Sequence, residues 1–138
     1  MLDPNASAHT RESLYKRLGG YDAIAAFVAD LMPRLYNDPT LWVYWKGKSV
    51  DSRRKGEQLL VDFLCGAFGG PAFYAGPDMK SSHRGLGITL QEWDIFLDHL
   101  VASFDALGVP EPERADVSAA AESLKWDIVE APSSAAAE

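Results

Sequence analysis

Three histidines stand in the chain, His9, His83 and His99, and their surroundings differ. His9 falls in a polar leader and His99 inside a regular helical pattern. His83 lies between a Gly/Pro-rich stretch and a strong helix start, in the run Met79-Lys-Ser-Ser-His-Arg-Gly-Leu-Gly-Ile-Thr89. An imidazole on a short rigid segment can offer one ring nitrogen to a metal, and a porphyrin iron needs such a group on one face. A lone histidine is more often a surface or hydrogen-bonded residue, so its neighbours carry the decision. The single cysteine, Cys65, cannot form an internal disulfide, and within an apolar helical run it reads as a buried, inert thiol.

The elements that must position His83 are helical. Ile24, Phe27, Val28, Leu31 and Leu35 recur at i, i+3, i+4, i+7 and i+11, one apolar stripe on a helix of about four turns. Pro33 lies inside this helix, where it removes a donor and crowds the preceding turn, and it predicts a kink near Ala29 to Met32. Leu59, Leu60, Phe63, Leu64, Ala67 and Phe68 form a second stripe, and Leu90, Trp93, Leu97, Leu100, Phe104 and Leu107 a third. Thr89 and Glu92 make a capping box at the head of the third helix, and Gly108-Val-Pro110 ends it. A weaker fourth helix spans about Glu111 to Val129, with Val117, Ala120, Ala121, Leu124 and Ile128 inward. No stretch alternates as a strand should. Two pairs of long helices predict an all-α, two-over-two sandwich. Gly69 to Lys80 is a long irregular connection, of the kind that serves a function or carries disorder.

Bulk properties narrow the function classes. The 138 residues suffice for one domain, and 47% hydrophobic content is compatible with a packed core. A net charge of −7 argues against a nucleic-acid surface. No apolar run approaches the ~20 residues of a membrane span, and residues 1–10 lack the pattern of a signal peptide. These features predict a cytoplasmic protein with neither nucleic acid nor membrane as partner.

Three motifs bring His83 into a known context. They are Leu14-Tyr15-Lys16-Arg17-Leu18-Gly19-Gly20, then Gly69-Gly70-Pro71 followed by Tyr74-Ala75-Gly76, then Met79-Lys80-Ser-Ser-His83-Arg-Gly85-Leu-Gly87-Ile88. In this order and spacing, from about Ser13 to about Val129, the chain resembles the truncated haemoglobins, in particular their group I. The resemblance implies a truncated globin domain over residues 13–130, after a polar leader at 1–12 and before a small, acidic, disordered tail at 131–138. It implies one haem b. No Cys-x-x-Cys-His run is present, which excludes covalent attachment through that motif.

The resemblance also places site residues. His83 is the proximal iron ligand, its Nδ1–H free to find a backbone carbonyl. Met79, Ile88, Trp93 and Phe96 wall the proximal face, Tyr74 stands at the haem edge, and Lys80 and Arg84 offset the propionates. On the distal side, counting back without gaps from Gly69-Gly70 puts Gly56, Leu59, Leu60, Phe63 and Leu64 toward the haem. Matching Lys55-Gly56 to a family dipeptide instead puts Gln58 there, at the cost of two extra residues within the helix. The tyrosine that many group I members aim at the ligand falls on Met32. A family phenylalanine pair reads Tyr44-Trp45, with Trp45 packed on the porphyrin. Distal donors are therefore open between Trp45, Gln58 and Tyr44, and Met32 is a weak candidate for a sixth ligand. The implied function is reversible binding of a diatomic gas (oxygen, nitric oxide or carbon monoxide). The alternatives are nitric oxide dioxygenase chemistry with an external reductase, or sensing through a partner protein.

Overall fold

The computed structural model describes residues 12–72 and 74–131. The leader with His9, Phe73, and residues 132–138 lie outside the described residues. Among the described residues, six α-helices follow in order: α1 Leu14–Leu18, α2 Tyr21–Tyr36, α3 Val50–Ala67, α4 Met79–His83, α5 Leu90–Leu107 and α6 Glu111–Ile128, with a 3₁₀ turn at Trp42–Trp45. Starts and stops follow local chemistry. Ser13, Ser49, Asp78 and Thr89 each accept a hydrogen bond from a backbone N–H of the first turn. The Thr89–Glu92 capping box forms with both of its bonds, and Gly108 ends α5 in the left-handed region.

Helix α2 is the centre of the molecule, packed against both α3 and α5. Ile24, Val28, Leu31, Met32 and Leu35 from α2 meet Val61, Cys65 and Phe68 on one side, and Leu100, Phe104 and Val117 on the other. Helix α6 returns from α5 through the turn at Gly108 and packs against α1 and α4. The result is the two-over-two arrangement. Arg17 of α1 binds Glu113 at 2.9 Å and Asp116 at 2.7 Å, which satisfies the buried Glu113 carboxylate.

Helix α2 extends from Tyr21 to Tyr36 with Pro33 inside. Pro33 is exposed, so its ring faces solvent rather than the core. In α3 the stripe that packs on α2 is Val61, Cys65 and Phe68, whereas Leu59, Leu60, Phe63 and Leu64 are only half buried and Ala67 is exposed. This helix is apolar on two faces, and α2 covers one of them.

The two glycine motifs meet. The Tyr15 N–H donates to the Phe68 carbonyl at 2.9 Å. A Cβ on Gly70 would lie 2.4 Å from the Tyr15 ring, so only glycine fits beneath it. That contact pins the exit of α3; the connection expected to run to Lys80 ends at Asp78, which caps α4 and draws Met79 and Lys80 into the helix.

Candidate functional site

His83 ends the five-residue helix α4, and its ring is held from behind. Nδ1 lies 2.8 Å from the Met79 carbonyl, one turn earlier. A carbonyl only accepts, so Nδ1 carries the proton and Nε2 the lone pair. Ser82 Oγ lies 2.9 Å from Nδ1 and donates to the same carbonyl at 3.2 Å. This is the arrangement of a metal-ligating histidine, with one nitrogen anchored and the other available. Among the described residues no three His, Cys, Asp or Glu side chains gather to hold a bare ion. His83 by itself suits a metal that brings its own equatorial nitrogens. Of the other histidines, His99 is committed elsewhere: Nε2 pairs with Asp38 Oδ2 at 2.7 Å, joining α5 to the loop after α2.

The chain beyond His83 is braced from the far end of the molecule. Leu86 N–H closes a turn onto the His83 carbonyl at 3.3 Å. Glu130 accepts from Gly85 N–H at 2.9 Å and from Gly87 N–H at 2.8 Å. Glu130 and Ala131 both donate backbone N–H groups to the Ile88 carbonyl, and Leu90 N–H donates to Ala131, in a short parallel bridge of Thr89 with Ala131. The Ala131 carbonyl thereby satisfies the open N–H of Leu90 at the head of α5. The two glycine N–H bonds, and to a lesser degree Arg84, hold the Glu130 carboxyl below the usual range.

Half-buried apolar side chains line α3, α4 and the start of α5. Leu59, Leu60, Phe63 and Leu64 of α3, Met79 of α4, and Ile88 and Phe96 at the start of α5 are all half buried. Tyr74 packs edge-on to Phe63, with ring centroids 5.3 Å apart. Gly56 is exposed, with nothing within 4 Å of where a Cβ would sit. Half-buried apolar side chains at i, i+3 and i+4 are costly without a covering group, and a flat apolar macrocycle would cover them. An apolar cavity of about 300 Å³ bordered by Ile24, Phe27, Phe68 and Phe104 shares no residue with this set.

Other expected residues are placed differently. Trp93 is only 2% exposed and lies behind Phe96, with ring centroids 5.2 Å apart. Its indole N–H is buried with no partner. Met32, 8% exposed, is likewise part of the helix–helix core. The Tyr74 hydroxyl donates to the Pro77 carbonyl, so that donor is already used. Lys80 and Arg84 are exposed, and both act on Asp78, whose carboxyl is lowered chiefly by its bonds to Ser81.

The polar distal candidates are also engaged. Gln58 is exposed, and its amide nitrogen donates to Tyr21 Oη and Asp62 Oδ1, each at 3.0 Å. This puts it away from the face carrying Leu59, Leu60, Phe63 and Leu64. Tyr44 donates to Glu92 Oε1 at 2.7 Å, tying the 3₁₀ turn to the capping box of α5. Trp45 is half buried between Tyr36 and Tyr44, edge-on to both. Sequence reasoning missed Tyr36, although it lies one turn after Met32 on the same helix. Its hydroxyl donates to Glu57 at 2.6 Å, and Arg53 stacks 5.0 Å over its ring. Burial first, and Glu57 second, push the Tyr36 phenol far up, so it stays a protonated donor. Glu130 was missed as well, for no pattern marks it.

Comparison with known proteins decides the family: the bacterial-like globin model matches residues 13–130. The chain belongs to that family. A group 1 truncated haemoglobin of Mycolicibacterium paratuberculosis is 34% identical over 116 residues, spanning 84% of this globin and 83% of the relative. A group 1 truncated haemoglobin of Chlamydomonas moewusii is 30% identical, over 91% of this globin and 73% of the relative. In fold, this globin is similar to the crystal structure of the truncated haemoglobin of Tetrahymena pyriformis in its Fe(III) form. The TM-score is 0.77 at 24% identity, with 86% and 98% of the two chains covered. Haem b is the cofactor of such a globin, and His83 fits it: an imidazole anchored through Nδ1 with Nε2 left available.

Proposed function

We propose that His83 Nε2 is the proximal ligand of haem b in this globin, and that the protein reversibly binds a diatomic gas, with oxygen the default ligand. When bound, the cofactor supplies a ferrous iron with one open coordination position. The observation that carries the reading is the Nδ1–H bond from His83 to the Met79 carbonyl. It fixes the tautomer, orients the ring, and raises the basicity of the other nitrogen. Phe96, Ile88 and Met79 then wall one side of the macrocycle, and Leu59, Leu60, Phe63, Leu64 and Gly56 the other. Trp45 closes the edge near the 3₁₀ turn. These side chains exclude water from the iron.

A five-coordinate, high-spin ferrous state follows. His99 is held by Asp38, and no other histidine of the described residues approaches. Purified protein should show a Soret band, a high-spin ferrous spectrum and reversible oxygen binding. A low-spin ferrous spectrum without added ligand would bring in a second protein ligand and overturn this. Nitric oxide dioxygenase activity is the second reading. It needs an external electron donor, because the chain has no dinucleotide-binding fingerprint. Mixing the oxygenated protein with nitric oxide in the presence of a reductase tests it: sustained nitrate formation supports it and a single turnover rejects it.

A further inference from the structure

Helix α4 has only five residues, too few to hold its own pose in water. What fixes the His83 ring therefore includes what α4 is tied to. On one side α4 packs against α6. On the other, the chain leaves His83 through Arg84, Gly85, Leu86 and Gly87. Gly85 and Gly87 have φ of +84° and +70°, a conformation that side-chain-bearing residues rarely adopt. It turns both glycine N–H groups to one side, a concavity that accepts an anion. The anion is supplied by the chain itself, 45 residues from Gly85: Glu130 places one carboxylate oxygen on each N–H.

We propose that Glu130 is a positioning residue for the proximal histidine. By clamping Gly85 and Gly87 it fixes the loop two residues beyond His83, and with it the tilt and distance at which the imidazole meets the iron. Two neighbouring features make this more than a tether. Val129 is 5% exposed, and the Ile88 carbonyl takes the Glu130 and Ala131 N–H groups, so the segment stays docked without the carboxylate. The Glu130 side chain acts on the glycine loop alone. The inference rests on His83 being the iron ligand.

The test uses the full-length, haem-loaded protein. Glu130→Ala removes both acceptors, and Glu130→Gln keeps one. Ile24→Ala truncates the core at a position outside the site and serves as a stability control. Two readouts are taken: the iron–histidine stretching band of the ferrous protein by resonance Raman, and the rate of haem loss to an excess of a scavenging apoglobin. Partners behind a metal ligand typically contribute tenfold or more to metal retention, so Glu130→Ala is expected to lose haem about tenfold faster. Its iron–histidine band should shift or broaden, with Glu130→Gln intermediate. Ile24→Ala should lower the melting temperature yet leave the band in place. An unmoved band and haem loss within about twofold of wild type in Glu130→Ala would overturn the proposal. Hydrogen exchange of the Gly85 and Gly87 amides in the wild-type protein gives a measurement free of any variant: protection supports the clamp, and solvent-like exchange rejects it. If wild type and His83→Ala share the same iron–histidine band, the ligand assignment fails instead, which separates the two outcomes.

Discussion

The two sides of the site are built from different materials. The side proposed as proximal is a chain of hydrogen bonds: Met79 carbonyl to His83, His83 carbonyl to Leu86, Gly85 and Gly87 to Glu130, and Ile88 to Ala131. The side proposed as distal is a row of leucines and a phenylalanine, and the nearby polar side chains have partners of their own. Gln58 is held by Tyr21 and Asp62, Tyr44 by Glu92, and Tyr36 by Glu57. Hydrogen bonds are directional and can set an angle at a metal. Apolar contacts fix volume and exclude water but do not stabilise a polar ligand. On the proposed reading, polar geometry orients the histidine and the apolar face excludes water, with no added polar bond to the gas.

The comparison is broken most sharply at His83. His83→Ala is expected to abolish stable haem binding or leave the iron loosely held, with recovery on adding imidazole. Retention of the parent ferrous spectrum would remove the proximal side from the account. The next effect is on the distal wall. Leu60→Gln places a donor on the half-buried face at little change in volume. One hydrogen bond to a partly charged ligand contributes roughly 1.5–3 kcal/mol, so oxygen release by stopped flow should slow by about one to two decades. An unchanged rate would mean that a donor already serves, with Trp45 the first to examine. Gln58→Ala should by contrast leave oxygen release within about twofold, since removing a solvent-facing side chain costs the ligand no bond. A clearly faster release would put Gln58 in the pocket and restore the alternative register of α3.

The smallest effect concerns stability away from the haem. Burial raises the Asp38 carboxyl, but His99 and the N–H groups of Thr40 and Leu41 outweigh it and hold the carboxyl below its usual value. A depressed carboxyl stabilises the fold above its unfolded pKa, and the contribution is lost as pH falls through the folded value. Asp38→Asn should lower the melting temperature at pH 7, with the gap to wild type closing under acid conditions. A gap independent of pH would assign the loss to packing.

The sequence by itself determined much. The long helices, the capping box at Thr89 and Glu92, the stop at Gly108 and the short segment carrying His83 were legible, because periodicity and capping are local chemistry. The glycine motifs marked the family, and the structure gives the physical cause of one: Gly70 lies beneath the Tyr15 ring. What sequence left open was decided by contact between distant segments. Leu59, Leu60, Phe63 and Leu64 were legible as apolar, but only the tertiary packing shows that Val61 and Cys65 are the fully buried face of α3. Trp93 and Met32 are both buried, and apolar character in sequence does not by itself distinguish core from cleft. Glu130 could not be found at all. A carboxylate at the end of a helix looks like a solvated charge until the fold brings two glycine N–H groups, 45 and 43 residues away, onto its oxygens.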